Sequence, residues 1–96
     1  MYRLGVIVKL AETGDYAVII YAGHNGTVLV APLHQAGFPL PDDAVAVAVD
    51  LGQQRGIVRC DLLRAITPAE ISQSVDRLAQ DDRQKVKEGV KLVMDL

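Results

Sequence analysis

The sequence predicts an α+β domain, a strongly bent antiparallel sheet curled into a small barrel with a helix packed on it from the C-terminal end. Apolar, β-branched runs separated by turn residues fill the first two-thirds of the chain. The last third changes to a helical period. Strands gathered ahead of helices, rather than alternating with them, indicate segregated α+β architecture and not a parallel sheet.

The first expected strand covers residues 4–10. Glu12-Thr13-Gly14-Asp15 then turns the chain into a second, 16–21. Gly23-His24-Asn25-Gly26 is the strongest turn signal, since Asn-Gly readily takes positive φ, and His24 is a solvent-facing turn residue there. A third strand, 27–31, is expected to stop at Pro32, and the three runs form a meander. Residues 36–43, with Gly37, Pro39 and Pro41, make a loop. In the strand 44–49, Val45, Val47 and Val49 turn to the core and Ala44, Ala46 and Ala48 to the other side. A polar hairpin turn over 50–55 leads to a charged strand, 56–66.

Thr67-Pro68-Ala69-Glu70 is a capping box, with Pro at the first helical position. It predicts a short helix fading near Ser74, and 75–78 fits either a short strand or more of that helix. A final helix, capped by Gln80 or Asp81, runs to Asp95. Val86, Val90, Val93 and Leu96 form its apolar stripe, with Lys85, Lys87, Glu88 and Lys91 on its solvated faces.

Ninety-six residues make one domain, and half of them are hydrophobic, enough for one core and not for a second. A net charge of −2 excludes a broad cationic face, so any nucleic-acid contact is confined to one cleft, and a protein partner is equally compatible. Three Tyr, one Phe and no Trp leave no stacking platform of the single-strand-binding kind. Cys60 is alone, which rules out an internal disulfide, and its apolar surroundings favour a small buried hydrophobe in a cytoplasmic protein. Arg3, Lys9 and Glu12 break the first apolar run, so no signal peptide or membrane span is expected. Two histidines and one cysteine, far apart, give no metal signature, and no cofactor is expected. Without a Gly-rich phosphate loop, a nucleophile elbow or a CxxC pair, nucleotide hydrolysis and covalent catalysis find no support.

The most informative stretch is Gly56-Ile57-Val58-Arg59-Cys60-Asp61-Leu62-Leu63-Arg64-Ala65-Ile66. Arg59 and Asp61 are two apart, so on an extended strand they project from one face. A cation beside a carboxylate can hold a phosphate and move a proton, and equally it can be a surface salt bridge. Arg64 adds a second guanidinium, for substrate or as a brace for a strand or loop carbonyl. His34, after Pro32-Leu33, is a side-chain type that serves as acid or base near neutrality, or it is a loop residue facing water. Gln35 beside it has an amide to offer phosphate or base.

Two segments carry a resemblance. Thr27-Val28-Leu29-Val30-Ala31-Pro32-Leu33 resembles the T-V-x-V-x-P-L-T-S motif of MazF/PemK (Kid-like) toxins. The 56–66 stretch is similar to their G-V-V-R-C-D-Q-x-R-T-I segment, and the tail with Arg77-Leu78 and a terminal helix matches their layout. The likeness covers residue 17 to the end. It implies an SH3-like barrel of the MazF/CcdB kind, a homodimer, a cognate antitoxin covering the active groove, and metal-independent endoribonuclease activity on single-stranded RNA. It also implies functional roles for Arg59 and Asp61, the residues at the family's arginine and aspartate positions.

Two positions depart from that pattern. Asp15-Tyr16 stand where the family has Arg-Pro at the end of a long loop, so the phosphate-binding arginine of many members is absent. His34-Gln35 replace the Thr-Ser pair, and a histidine there can take over the proton work of the lost hydroxyl. The short first turn resembles the CcdB branch, which poisons DNA gyrase, although Met94-Asp95-Leu96 lacks that branch's Trp-Gly-Ile tail. A gyrase poison, or a catalytically inactive member acting by protein contact, is the alternative function.

Overall fold

The computed structural model describes residues 2–23 and 25–95. Seven strands form one antiparallel sheet: β1 (Val6–Leu10), β2 (Tyr16–Ala22), β3 (Val28–Gln35), β4 (Ala46–Asp50), β5 (Arg55–Arg59), β6 (Arg64–Ile66) and β7 (Ile71–Arg77). Among the described residues one α-helix, α1 (Gln80–Met94), follows. The expected turn residue His24 and the stripe residue Leu96 lie outside the described residues, as does Met1.

The β1–β2–β3 meander forms as the apolar runs predict. The spatial order is β4-β5-β3-β2-β1-β7, with β6 beside β3, so the sheet is open between β4 and β7 and is not closed into the expected small barrel. Three further expectations are corrected. Pro32 does not end the third strand, because β3 continues to Gln35 with Pro32 opposite Ala17. On its other side β3 pairs with β6 through Val30 and with β5 from Leu33, so Pro32 falls in the gap between these two partners, where a missing N–H is tolerated.

The capping box forms, with the Thr67 N–H donating to Glu70 Oε2 at 2.7 Å, but it closes only a 3₁₀ turn, Pro68–Glu70. Residues 71–77 are strand, not helix. Pairing with all of β1, plus the Ser72 hydroxyl donating to the Lys9 carbonyl, outweighs the local helix signal. Third, the segment 56–66 is not one strand: β5 ends at Arg59, a 3₁₀ turn Cys60–Leu62 intervenes, and β6 starts at Arg64.

The apolar residues divide into two clusters, contrary to the single core expected. Ile7, Val18, Ala31, Val58 and Cys60 pack with Val86 and Val90 of α1. Val8, Leu10, Ala17, Ile19, Val28 and Val30 pack with Ile66. Alternate residues of β1, β2 and β3 enter different clusters, so a bent sheet buries both of its faces. Val49 is buried, while Val45 and Val47 are partly buried against the first cluster.

Helix α1 crosses the 3₁₀ turn closely at Gly89, where an added Cβ would lie 2.9 Å from Cys60 Sγ and 3.1 Å from Val47 Cγ2. Gly-to-Ala inside a helix normally gains about 1 kcal/mol. Here overpacking against a fully buried thiol costs about 1–3 kcal/mol, so Gly89→Ala is expected to lower stability in chemical denaturation. Adding Cys60→Ala removes the Sγ and is expected to recover part of that loss relative to Cys60→Ala alone.

Candidate functional site

The register of β3 against its neighbours builds the site. His34 lies opposite Ile57 in β5, and Gln35 opposite Gly56. A Cβ on Gly56 would stand 2.9 Å from Leu33 Cδ1 and 3.3 Å from the His34 carbonyl oxygen, so this glycine permits the close approach of β5 to β3. On the other side Leu33 faces Tyr16 in β2, which brings Tyr16 alongside His34.

Two hollows flank the imidazole. One, of about 280 Å³, is lined by Tyr16, His34, Gln35, Gln54 and Arg55, with Leu33, Leu51, Ile7, Val75 and Asp76. The other, of about 360 Å³, is lined by Asp15, Tyr16, Pro32, His34, Phe38 and Arg64 over Leu10, Ala17, Val30 and Leu33. His34 and Tyr16 belong to both. Among the described residues neither Arg55 nor Arg64 makes an ion pair. The His34 ring is held by stacking on Phe38, with centroids 4.2 Å apart and planes 8° from parallel.

Arg59 and Asp61 are placed differently. Arg59 closes β5 and is only 7% exposed. Its Nε and Nη2 donate to the two Asp61 carboxylate oxygens at 2.9 and 2.7 Å, a fork-to-fork pair. Asp61 sits in the 3₁₀ turn and reaches back to Arg59; the two do not stand side by side on an extended strand. The turn is held further by the Cys60 N–H donating to the Val45 carbonyl and by burial of Cys60 against α1. Burial first, then the charge of Asp61, pushes the Cys60 thiol up to about 11, so it stays protonated at neutrality.

The hydrogen bond from Arg59 holds the Asp61 carboxyl below its ordinary value, and the reciprocal bond raises Arg59. Neither residue lines the two hollows beside His34. They are not remote from it, however. Arg59 is two residues beyond Ile57, so it shares the His34 face as a diagonal neighbour, a relation with typical Cα separations of about 7–8 Å.

The fold therefore unites His34 with Gln35 on one side and with Arg64 on the other. Tyr16, Arg55 and Phe38, none of them a site candidate from the sequence, join them. A third hollow, of about 410 Å³, lies at the start of α1 among Asp50, Arg55, Asp81, Asp82 and Lys85. Its most buried polar group is already engaged, since Asp82 Oδ2 accepts the Asp50 N–H at 2.8 Å and Oδ1 lies 3.9 Å from Lys85. That bond ties the helix to the end of β4.

An imidazole next to unpaired guanidiniums can take a proton from a hydroxyl while positive charge steadies a phosphate. Among the described residues no group of three or more His, Cys, Asp or Glu is placed to hold a metal ion, and no helix is long and apolar enough to cross a membrane.

Residues 12–94 match the family model described as PemK-like, MazF-like toxin of type II toxin-antitoxin system. No curated protein matches the chain. Among solved structures it is similar to a Mycobacterium tuberculosis toxin, MazF-mt6, at 20% identity and a TM-score of 0.72, with 96% of this chain and 97% of that one covered. An endoribonuclease from a mycobacterial species aligns at 14% identity and a TM-score of 0.76, covering 96% and 89%. Another mycobacterial endoribonuclease, in complex with its cognate antitoxin, aligns at 13% identity and a TM-score of 0.76, covering 96% and 91%. At these identities the likeness establishes a shared MazF-like fold.

Proposed function

We propose that this chain, which belongs to the PemK-like, MazF-like toxins of type II toxin–antitoxin systems, is an endoribonuclease that cuts single-stranded RNA without a metal ion. The observation that carries this reading is the placement of His34 between two hollows, each holding an arginine free of ion pairs among the described residues. The names of two structural neighbours as endoribonucleases support it.

In this reading the His34 imidazole takes the proton of a ribose 2′-hydroxyl, whose oxygen attacks the adjacent phosphorus. Arg64 holds the phosphate oxygens as negative charge grows on the phosphorane, and Arg55 in the other hollow meets a neighbouring phosphate of the same strand. The bond to the 5′-oxygen breaks, and the Tyr16 phenol, which lines both hollows, donates a proton to it. The products are a 2′,3′-cyclic phosphate and a 5′-hydroxyl. Gln35 offers its amide to the substrate at the hollow shared with Arg55.

Arg59 and Asp61 take a positioning role here rather than the catalytic one that the resemblance implies. A carboxylate with both oxygens engaged by a guanidinium, and its pKa lowered by that bond, is a weak base at neutral pH. The clasp instead fixes the 3₁₀ turn from which Arg64 departs, three residues after Asp61. The protein works as a cytoplasmic homodimer, and it is kept silent by a cognate antitoxin, a role that the family and the neighbour solved with its antitoxin support.

Purified protein incubated with single-stranded RNA and EDTA is expected to release fragments ending in 2′,3′-cyclic phosphate. RNA left intact, together with stalled gyrase, would support the contact-based alternative instead.

A further inference from the structure

We infer that the loop between β3 and β4 is the base-reading element of the site, with Phe38 as its stacking platform. This rests on the RNA-cleaving reading above and extends it to the contact that selects the cut position.

The chain has one Phe and no Trp, and that single Phe lies against the one histidine of the candidate site. So few aromatic rings predict no stacking platform, but Tyr16, His34 and Phe38 line one hollow together with Arg64, which corrects that expectation. A flat, parallel aromatic pair beside a cation is the arrangement on which a nucleobase stacks while its phosphate is held. Phe38 is 48% exposed, so the ring keeps free surface after stacking on His34. Leu40, 40% exposed, continues the same loop outward. A large apolar ring half in water contributes little to a core, and neither buried cluster includes it.

The loop is also built to hold that ring in place. The Phe38 N–H donates to the Gln35 carbonyl at 3.2 Å, and Gly37, with φ of 91°, makes the turn that folds Phe38 back over His34. Pro39 and Pro41 limit the freedom of the chain that follows. The ring therefore waits in a fixed plane, which lowers the entropy lost when a base settles on it. Because Phe38 adjoins His34, the base it holds belongs to a nucleotide flanking the scissile phosphate.

The test uses Phe38→Ala and Phe38→Trp in the full chain, with mixed-sequence single-stranded RNA and sequencing of the cut ends. Phe38→Ala is expected to raise KM about tenfold and to relax the preference at one nucleotide position, while Phe38→Trp retains the preference. The new Trp is the chain's only one, and its emission is expected to change when a 2′-O-methyl RNA binds uncut. Thermal midpoints of both variants are expected to match the parent protein. Tyr21→Ala, 60% exposed at the far end of the β2–β3 ladder, should change neither KM nor pattern.

An unaltered KM and cut pattern in Phe38→Ala would overturn the inference and leave the nuclease reading standing. So would a lower kcat with the pattern intact, because the ring would then only orient His34. An effect of Phe38→Ala on the binding of a protein partner alone would also overturn it. A parent protein that cuts no RNA would overturn both.

Discussion

Replacing His34 with alanine is expected to lower kcat/KM for RNA cleavage by roughly 10²–10⁴-fold, the range lost with a general acid–base group. The loss should be chemical, not structural. Among the described residues the imidazole makes no side-chain hydrogen bond, is only partly buried, and contacts Phe38 by stacking alone. Its backbone stays paired with Ile57 whatever side chain it carries. Thermal melting of His34→Ala should therefore match the parent. Arg64→Ala is expected to cost roughly 10²-fold through lost charge stabilisation, and Arg64→Lys to recover only part, because an ammonium lacks the planar fork. Initial rates on a labelled single-stranded RNA check all three.

The second large effect is on stability and its pH dependence, at the Arg59–Asp61 clasp. Asp61→Asn is expected to be the more damaging substitution and Arg59→Met the milder one. Asparagine would leave the guanidinium, 7% exposed, without a counter-charge. Methionine keeps an apolar stem and leaves an aspartate whose side chain, 22% exposed, still reaches water.

The pH dependence follows from the depressed Asp61 pKa, caused first by the Arg59 hydrogen bond. A carboxyl whose folded value lies below its unfolded value, about 3.9, stabilises the fold above that pH. That contribution is lost as pH falls through the lower folded value. The parent should thus lose stability in acid, and the gap between parent and Asp61→Asn should narrow below about pH 4. Denaturant midpoints across pH 2–7 measure it, and a constant gap would contradict the assignment.

Much of the scaffold was legible in local chemistry. The meander followed from β-branched runs between turn clusters, and the terminal helix from the spacing of Val86, Val90 and Val93. What failed depended on partners distant in sequence. Thr67 to Glu70 has every local mark of a helix start, yet Ile71 to Arg77 extends because β1 offers a full ladder to pair with. The break at Cys60 was hidden because Arg59, Cys60 and Asp61 sit in an apolar run that looks continuous. The clasp, the Cys60 N–H bond to the Val45 carbonyl and the packing of Cys60 under α1 hold the bend, and none of them is visible in the sequence. Whether the sheet closes between β4 and β7 is a global property that no local pattern encodes, and here it stays open.

The candidate site divides along the same line. His34, Gln35 and Arg64 stood out because of what they replace or accompany in a motif. Tyr16 did mark a departure from the family pattern, but its place beside His34 comes from the pairing of Tyr16 with Leu33. Arg55 arrives through the β4–β5 hairpin and Phe38 through the turn at Gly37. No spacing rule connects residues 16, 38 and 55 before the sheet is assembled.

RNA is expected to lie across the His34 face of β3, between Arg55 and Arg64. NMR titration of the isotopically labelled protein with a 2′-O-methyl single-stranded RNA tests it without requiring turnover. Binding there shifts the His34 and Tyr16 ring signals and the Arg55 and Arg64 side-chain signals saturably. Shifts confined to α1 or β7, with His34 unmoved at saturation, would contradict it.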